Sequence, residues 1–124
     1  MMAFSLGITG LLMGTMLFFG WIFIKHPPKN INSIYGYRTP RSAKNQEVWM
    51  FAHKTAGEIW LKLGAVGTAA SILLIFLFER FGVLERFSLY LIYAQLILLL
   101  GVIPLTERRI GRNFNRDGSR KEGS

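Results

Sequence analysis

Residues 3–24 run for 22 positions without a charged side chain. As a helix such a run is about 33 Å long, enough to cross a hydrocarbon layer of roughly 30 Å. Two more runs follow. Residues 63–78 are uncharged and reach spanning length if 57–62 enter the interface, and residues 87–105 supply a third span. In a chain of 124 residues little remains for a separate soluble domain. The expected fold is an all-α integral membrane protein with three transmembrane helices over about 3–24, 58–78 and 87–105. These belong to a single membrane domain over 1–116. A cleaved leader fits the first run poorly, because it lacks a basic n-region and a small-x-small site before Lys25.

Charge placement predicts orientation. Of the 15 Lys and Arg, only Arg80 and Arg86 fall in the short segment between the second and third runs. All the others lie between the first two runs or after the third. The positive-inside rule then places the N-terminus outside, with the 25–57 loop and the C-terminus cytoplasmic, in a multi-pass protein of the bacterial cytoplasmic membrane. Topology thereby accounts for the isoelectric point near 10.3, and nucleic acid is not an expected partner. Anionic lipid headgroups are, since each juxtamembrane cation attracts them by about 1 kcal/mol. The chain has no cysteine, which excludes thiolate and disulfide chemistry.

The connection between the first two spans is unusually specific. Pro27 and Pro28 end the first helix. Gly36, between Tyr35 and Tyr37, suggests a positive φ or a close backbone approach. Thr39 followed by Pro40 reads as an N-cap and first helical residue, so an interfacial helix is expected to run on to about Lys54, with Trp49 as its anchor. Glu58 and Lys62 have the spacing of a helical ion pair at the start of the second span. Residues 117–124 read as a disordered basic tail.

Within the spans, Gly10 and Gly14 have GxxxG spacing, and Gly64, Gly67 and Ser71 repeat the small-residue theme. Such seams close the helices on one another or on a second copy. Gln95 is the one amide in a span and is expected to bond a neighbouring helix. No residues are spaced for catalysis, for a metal or for a cofactor, and the expectation is a protein that is not an enzyme. His26 and His53 have no HExxH or CxxC context and are expected to be solvated imidazoles.

The strip from Tyr35 to Trp49 allows two readings. Arg38 and Arg41 offer forked donors to a carboxylate or phosphate, with Tyr35 and Tyr37 as flat faces beside them. Alternatively the loop folds back as a plug, with Arg38, Asn45 and Trp49 satisfying each other.

The strip resembles the signature of the SdpI family of small bacterial membrane proteins. The resemblance rests on Asn32, Tyr35, Gly36, Tyr37, Arg38, Thr39, Ser42, Asn45, Trp49, Ala52 and Gly57, with His53 standing where the pattern has Asn. It extends over roughly residues 20–114, including Thr106-Glu107 and Asn113-Phe114. The family's best-known member is a multispanning immunity protein against a secreted toxic peptide and also a signal receptor, with additional N-terminal helices. The resemblance implies a non-enzymatic immunity or sensor role with a membrane-active peptide as ligand. The binding residues would be Tyr35, Gly36, Tyr37, Arg38, Thr39, Ser42, Asn45 and Trp49. An accessory subunit of a larger membrane complex, or a homo-oligomer, fits the glycine seams equally.

Overall fold

The computed structural model describes residues 1–121. Four helices follow one another: α1 (Met2–Lys25), α2 (Gln46–Arg80), α3 (Leu84–Leu100) and α4 (Val102–Asn113). With α3 and α4 taken as one segment, three helical segments are long and apolar enough to cross a membrane. Among the described residues there is no strand, only an isolated bridge between Phe114 and Arg120.

The three segments pack up, down and up, and glycine sets how closely α1 and α2 approach. Gly20 and Gly57 face each other so tightly that a Cβ on Gly57 would lie 2.7 Å from the Gly20 carbonyl oxygen. Gly64 receives Leu17 and Met16, and Gly67 receives the Met13 sulfur. The seam on α2 thus closes the bundle on itself. The GxxxG pair on α1 does not take part: Gly10 and Gly14 have nothing within 4 Å of where a Cβ would stand.

Gln95 ties all three segments together. Its amide donates to the Thr9 hydroxyl on α1 at 2.7 Å and to the Ser71 hydroxyl on α2 at 2.9 Å. Each such bond between membrane helices stabilises by about 0.6 kcal/mol. The expected interhelical amide bond is present, and it reaches two helices.

Three sequence expectations about α2 and its start are corrected. The interfacial helix does not exist as a separate element. Thr39 caps a single turn, its hydroxyl accepting the Ser42 N–H at 3.1 Å, and the chain then becomes extended at Asn45. Asn45 is the true cap of α2, accepting the Val48 N–H at 2.9 Å, and the helix continues for 35 residues through Gly57. That is about 52 Å, so roughly 20 Å of α2 extends beyond a hydrocarbon layer. Second, Glu58 and Lys62 do not pair; the ion pair among the described residues is Glu47 with Arg120, at 2.8 Å. Third, His53 is fully buried rather than solvated.

The third span bends at Gly101, three residues before Pro104. Proline lacks the N–H that would bond the Leu100 carbonyl, and its ring crowds that carbonyl. Past the bend, Val102, Thr106 and Ile110 form the buried stripe of α4, while Arg108, Arg109 and Arg112 are exposed. The chain then turns at residues 115–119, where disorder was expected from 117 on. Phe114 is buried against Phe51, and the Gly118 carbonyl accepts from the Asn45 amide at 2.8 Å. The rest of the expected tail, residues 122–124, lies outside the described residues.

Candidate functional site

The loop from Pro28 to Asn45 is held to the bundle by a web of backbone-directed bonds. Asn32 begins it, its side-chain oxygen accepting the N–H groups of Ile34 and Tyr35 at 2.9 and 2.7 Å. This local turn brings Gly36 down onto α2 with φ +113°. A Cβ there would stand 2.5 Å from the His53 Nε2 and 2.8 Å from the Pro28 ring. Only glycine combines that φ with that contact.

His53 is the pin under the glycine. Its Nε2 accepts the Tyr37 N–H at 2.9 Å, which places the ring proton on Nδ1, 2.8 Å from the Trp49 carbonyl. The imidazole is therefore neutral. It lies below the spanning part of α2, and burial holds its pKa below the usual histidine value, partly opposed by the bond to Trp49. Trp49 is itself wholly buried and donates its indole N–H to the Pro28 carbonyl at 2.7 Å.

Tyr37 points the other way, toward α4. Its hydroxyl lies 3.0 Å from the Glu107 carboxylate and 3.2 Å from the Ile103 carbonyl. Burial, and then the Glu107 charge, push the phenol well above its ordinary pKa, so it stays protonated and donates. Ser42 is fully buried; its oxygen accepts the Thr39 N–H at 2.8 Å, and its proton is shared between the carbonyls of Tyr37 and Thr39. Arg41 crosses to α4, donating to the Glu107 carbonyl at 3.3 Å.

The predicted site residues therefore separate. Gly36, Tyr37, Ser42, Asn45 and Trp49 are occupied in holding the loop, while Thr39 caps its one turn. Arg38, Asn45 and Trp49 do not satisfy each other: Arg38 donates to the Ser33 carbonyl, Asn45 caps α2, and Trp49 bonds Pro28. Tyr35 and Arg38 remain exposed.

These two residues stand at the rim of a cleft of about 460 Å³. Its floor is aromatic, with Phe23 stacked on Trp60 at 5.7 Å and Phe19 6.5 Å from the same indole. Trp60 is itself oriented by a 3.0 Å bond from its indole N–H to the Leu99 carbonyl. Thr15 closes one end, Leu100 and Ile103 form the far wall, and residues 34–39 form the loop wall. From Thr15 to Phe23 the cleft follows α1 for about 12 Å. This is the volume and apolar character of a small-ligand site with few polar groups.

The profile of the SdpI/YfhL protein family matches residues 29–106, which includes the loop wall and the helices it is pinned to. The chain belongs to the SdpI/YfhL family. It is also 32% identical over 121 residues to the uncharacterized protein YfhL of Bacillus subtilis (strain 168), covering 94% of this chain and 98% of that protein. No solved structure matches it. Family membership and three spanning-length apolar helices together make this a membrane protein.

Sequence reasoning missed three residues of this SdpI/YfhL site: His53, Phe23 and Trp60. His53 carried a signal, since a hydrogen-bonding residue directly after Ala52 is part of the family pattern. Phe23 and Trp60 carried none, because membrane spans are rich in aromatics whatever their role.

Proposed function

We propose that this is a non-enzymatic membrane protein of the immunity or sensor type, which receives a membrane-active peptide in the cleft beside the loop. The observation that carries this reading is the cleft itself. Its loop wall is formed by residues of the family signature, and the signature residues that do not face it hold that wall in place. A ligand arriving within the bilayer would meet Phe19, Trp60 and Ile103 first and Arg38 at the polar rim. In this reading the N-terminus is outside and the loop and C-terminus are cytoplasmic, where the cations of α4 meet anionic headgroups. Cells carrying the gene should survive a secreted membrane-active peptide better than cells without it, and Arg38→Ala should remove most of that advantage. Equal survival with and without the gene would defeat the reading.

A second reading is an accessory subunit of a larger membrane complex, or a homo-oligomer. The open space over Gly7, Gly10 and Gly14 on α1 favours it, since a close helix-to-helix approach there would meet no side chain. Native mass determination in mild detergent separates the two readings, because a stoichiometric companion supports the second.

A further inference from the structure

The cleft is apolar over most of its length, yet its charge is one-sided. Among the described residues lining it, Arg38 is the only charged side chain. Among the described residues Arg38 takes part in no ion pair, and its one hydrogen-bond partner is the Ser33 carbonyl. A guanidinium has five N–H donors, so most of its capacity is free at the mouth of the cleft. Glu107, which reaches this loop from α4, is already taken by the Tyr37 hydroxyl.

The loop beside it is apolar at its tip. Ile34 is 87% exposed and Tyr35 40% exposed, four and three residues before Arg38. An isoleucine and a tyrosine a few residues before a cation, on a segment beside membrane-spanning helices, suit the layer where acyl chains give way to headgroups. From there the cleft runs about 12 Å up α1, less than one leaflet of a 30 Å layer. Its walls are hydrocarbon and aromatic, and its mouth is cationic.

We propose that the cleft is a lipid site. It would hold one acyl chain of an anionic phospholipid against Phe19, Phe23 and Trp60, with the phosphate on Arg38. The inference shares the cleft and Arg38 with the immunity reading and adds the occupant in the absence of peptide. A peptide entering the cleft would then displace a specific lipid. Charge complementarity selects an anionic head over a zwitterionic one, because no acid lines the cleft to balance Arg38. The walls select a chain over a soluble anion such as free phosphate, which would leave the aromatic floor uncovered.

The test uses Trp60 as reporter. The full-length protein carrying Trp21→Phe is reconstituted in phosphatidylcholine vesicles with a minor fraction of chain-brominated phosphatidylglycerol or chain-brominated phosphatidylcholine. Trp49 is fully buried and shielded, so quenching reports Trp60. The expected result is an enrichment of the anionic chain at Trp60 of about fivefold over its mole fraction, the preference one arginine supplies near an anionic headgroup. Arg38→Gln should abolish the preference between the two lipids. Thr15→Phe, which fills the far end of the cleft away from the head, should lower quenching by both. Free inorganic phosphate should not compete.

Equal quenching by the two lipids in the unsubstituted loop would overturn the proposal, as would a preference that survives Arg38→Gln. If Trp60 responds to an added membrane-active peptide but to neither lipid, the lipid inference falls and the immunity reading stands. If the anionic lipid is selected but the gene gives no survival advantage, the lipid site stands and the immunity reading falls.

Discussion

The inner row of the loop and its outer rim come from the same short strip of sequence, yet they are held in opposite ways. Gly36, Tyr37, Ser42 and Trp49 point into the bundle, and each has a bond or contact to another part of the chain. Tyr35 and Arg38 alternate with them and point out. Among the described residues Arg38 bonds only its own loop, and the Tyr35 ring lies 6.4 Å from Phe23. The division leaves Tyr35 and Arg38 as the exposed residues of the strip whose side chains are not pinned to the bundle.

The contrast can be broken most severely at its inner row. Gly36→Ala would force a side chain into φ +113° and against the His53 ring and Pro28. Strain and overpacking together should cost about 3 kcal/mol, seen as a lower midpoint of thermal unfolding in detergent and as protease cleavage of the loop. Gly57→Ala, at the seam beneath it, should cost about 2 kcal/mol, because the obstacle is the Gly20 backbone and cannot rotate away.

Acid should undo the same row by a different route. The docked loop requires neutral His53, and its pKa is lowered, so the undocked form binds more protons. Docking stability is thus complete above the ordinary histidine value of about 6.5. It is lost as pH falls from there toward the lowered value, by at most about 1.4 kcal/mol per pH unit. Trp49 emission, with Trp21 and Trp60 replaced by Phe, should report the release. His53→Asn, the residue usual in the family pattern, should flatten the pH response while retaining a side-chain acceptor for the Tyr37 N–H.

Away from the loop, Gln95→Leu should cost only about 1 kcal/mol, since it removes two interhelical bonds but also a buried carbonyl oxygen that has no partner. Smallest of all should be the outer rim, where Tyr35→Ala and Arg38→Gln are expected to change stability by less than about 0.5 kcal/mol.

The spans were legible in the sequence because hydrophobic runs report on the solvent around a helix, and α1 agrees with its run to within a residue at each end. The connection was less legible. Thr39-Pro40 is a sound start signal and does start a turn, but Asn45 stands six residues after Thr39 and satisfies Val48 and Gly118 at once. The Asn45 amide also reaches the Gly118 carbonyl, in a tail far away in sequence. The glycines show the same limit. GxxxG spacing on α1 identified a face that could pack closely, whereas the seam actually used pairs Gly20 with Gly57, and only the assembled helices bring those two together. Likewise the strip marked its own importance but not its division, because inward and outward positions in an irregular loop follow no fixed period.

The most direct test of that division is to measure thermal stability and peptide survival on the same two variants, Arg38→Gln and Ser42→Ala. Ser42→Ala should unfold at a lower temperature, because it leaves the Thr39 N–H without its buried acceptor. Arg38→Gln should melt with the parent protein and yet lose most of the survival advantage. If Arg38→Gln instead melts with the parent and protects as well as it does, the outer rim has no ligand to meet and the account is wrong.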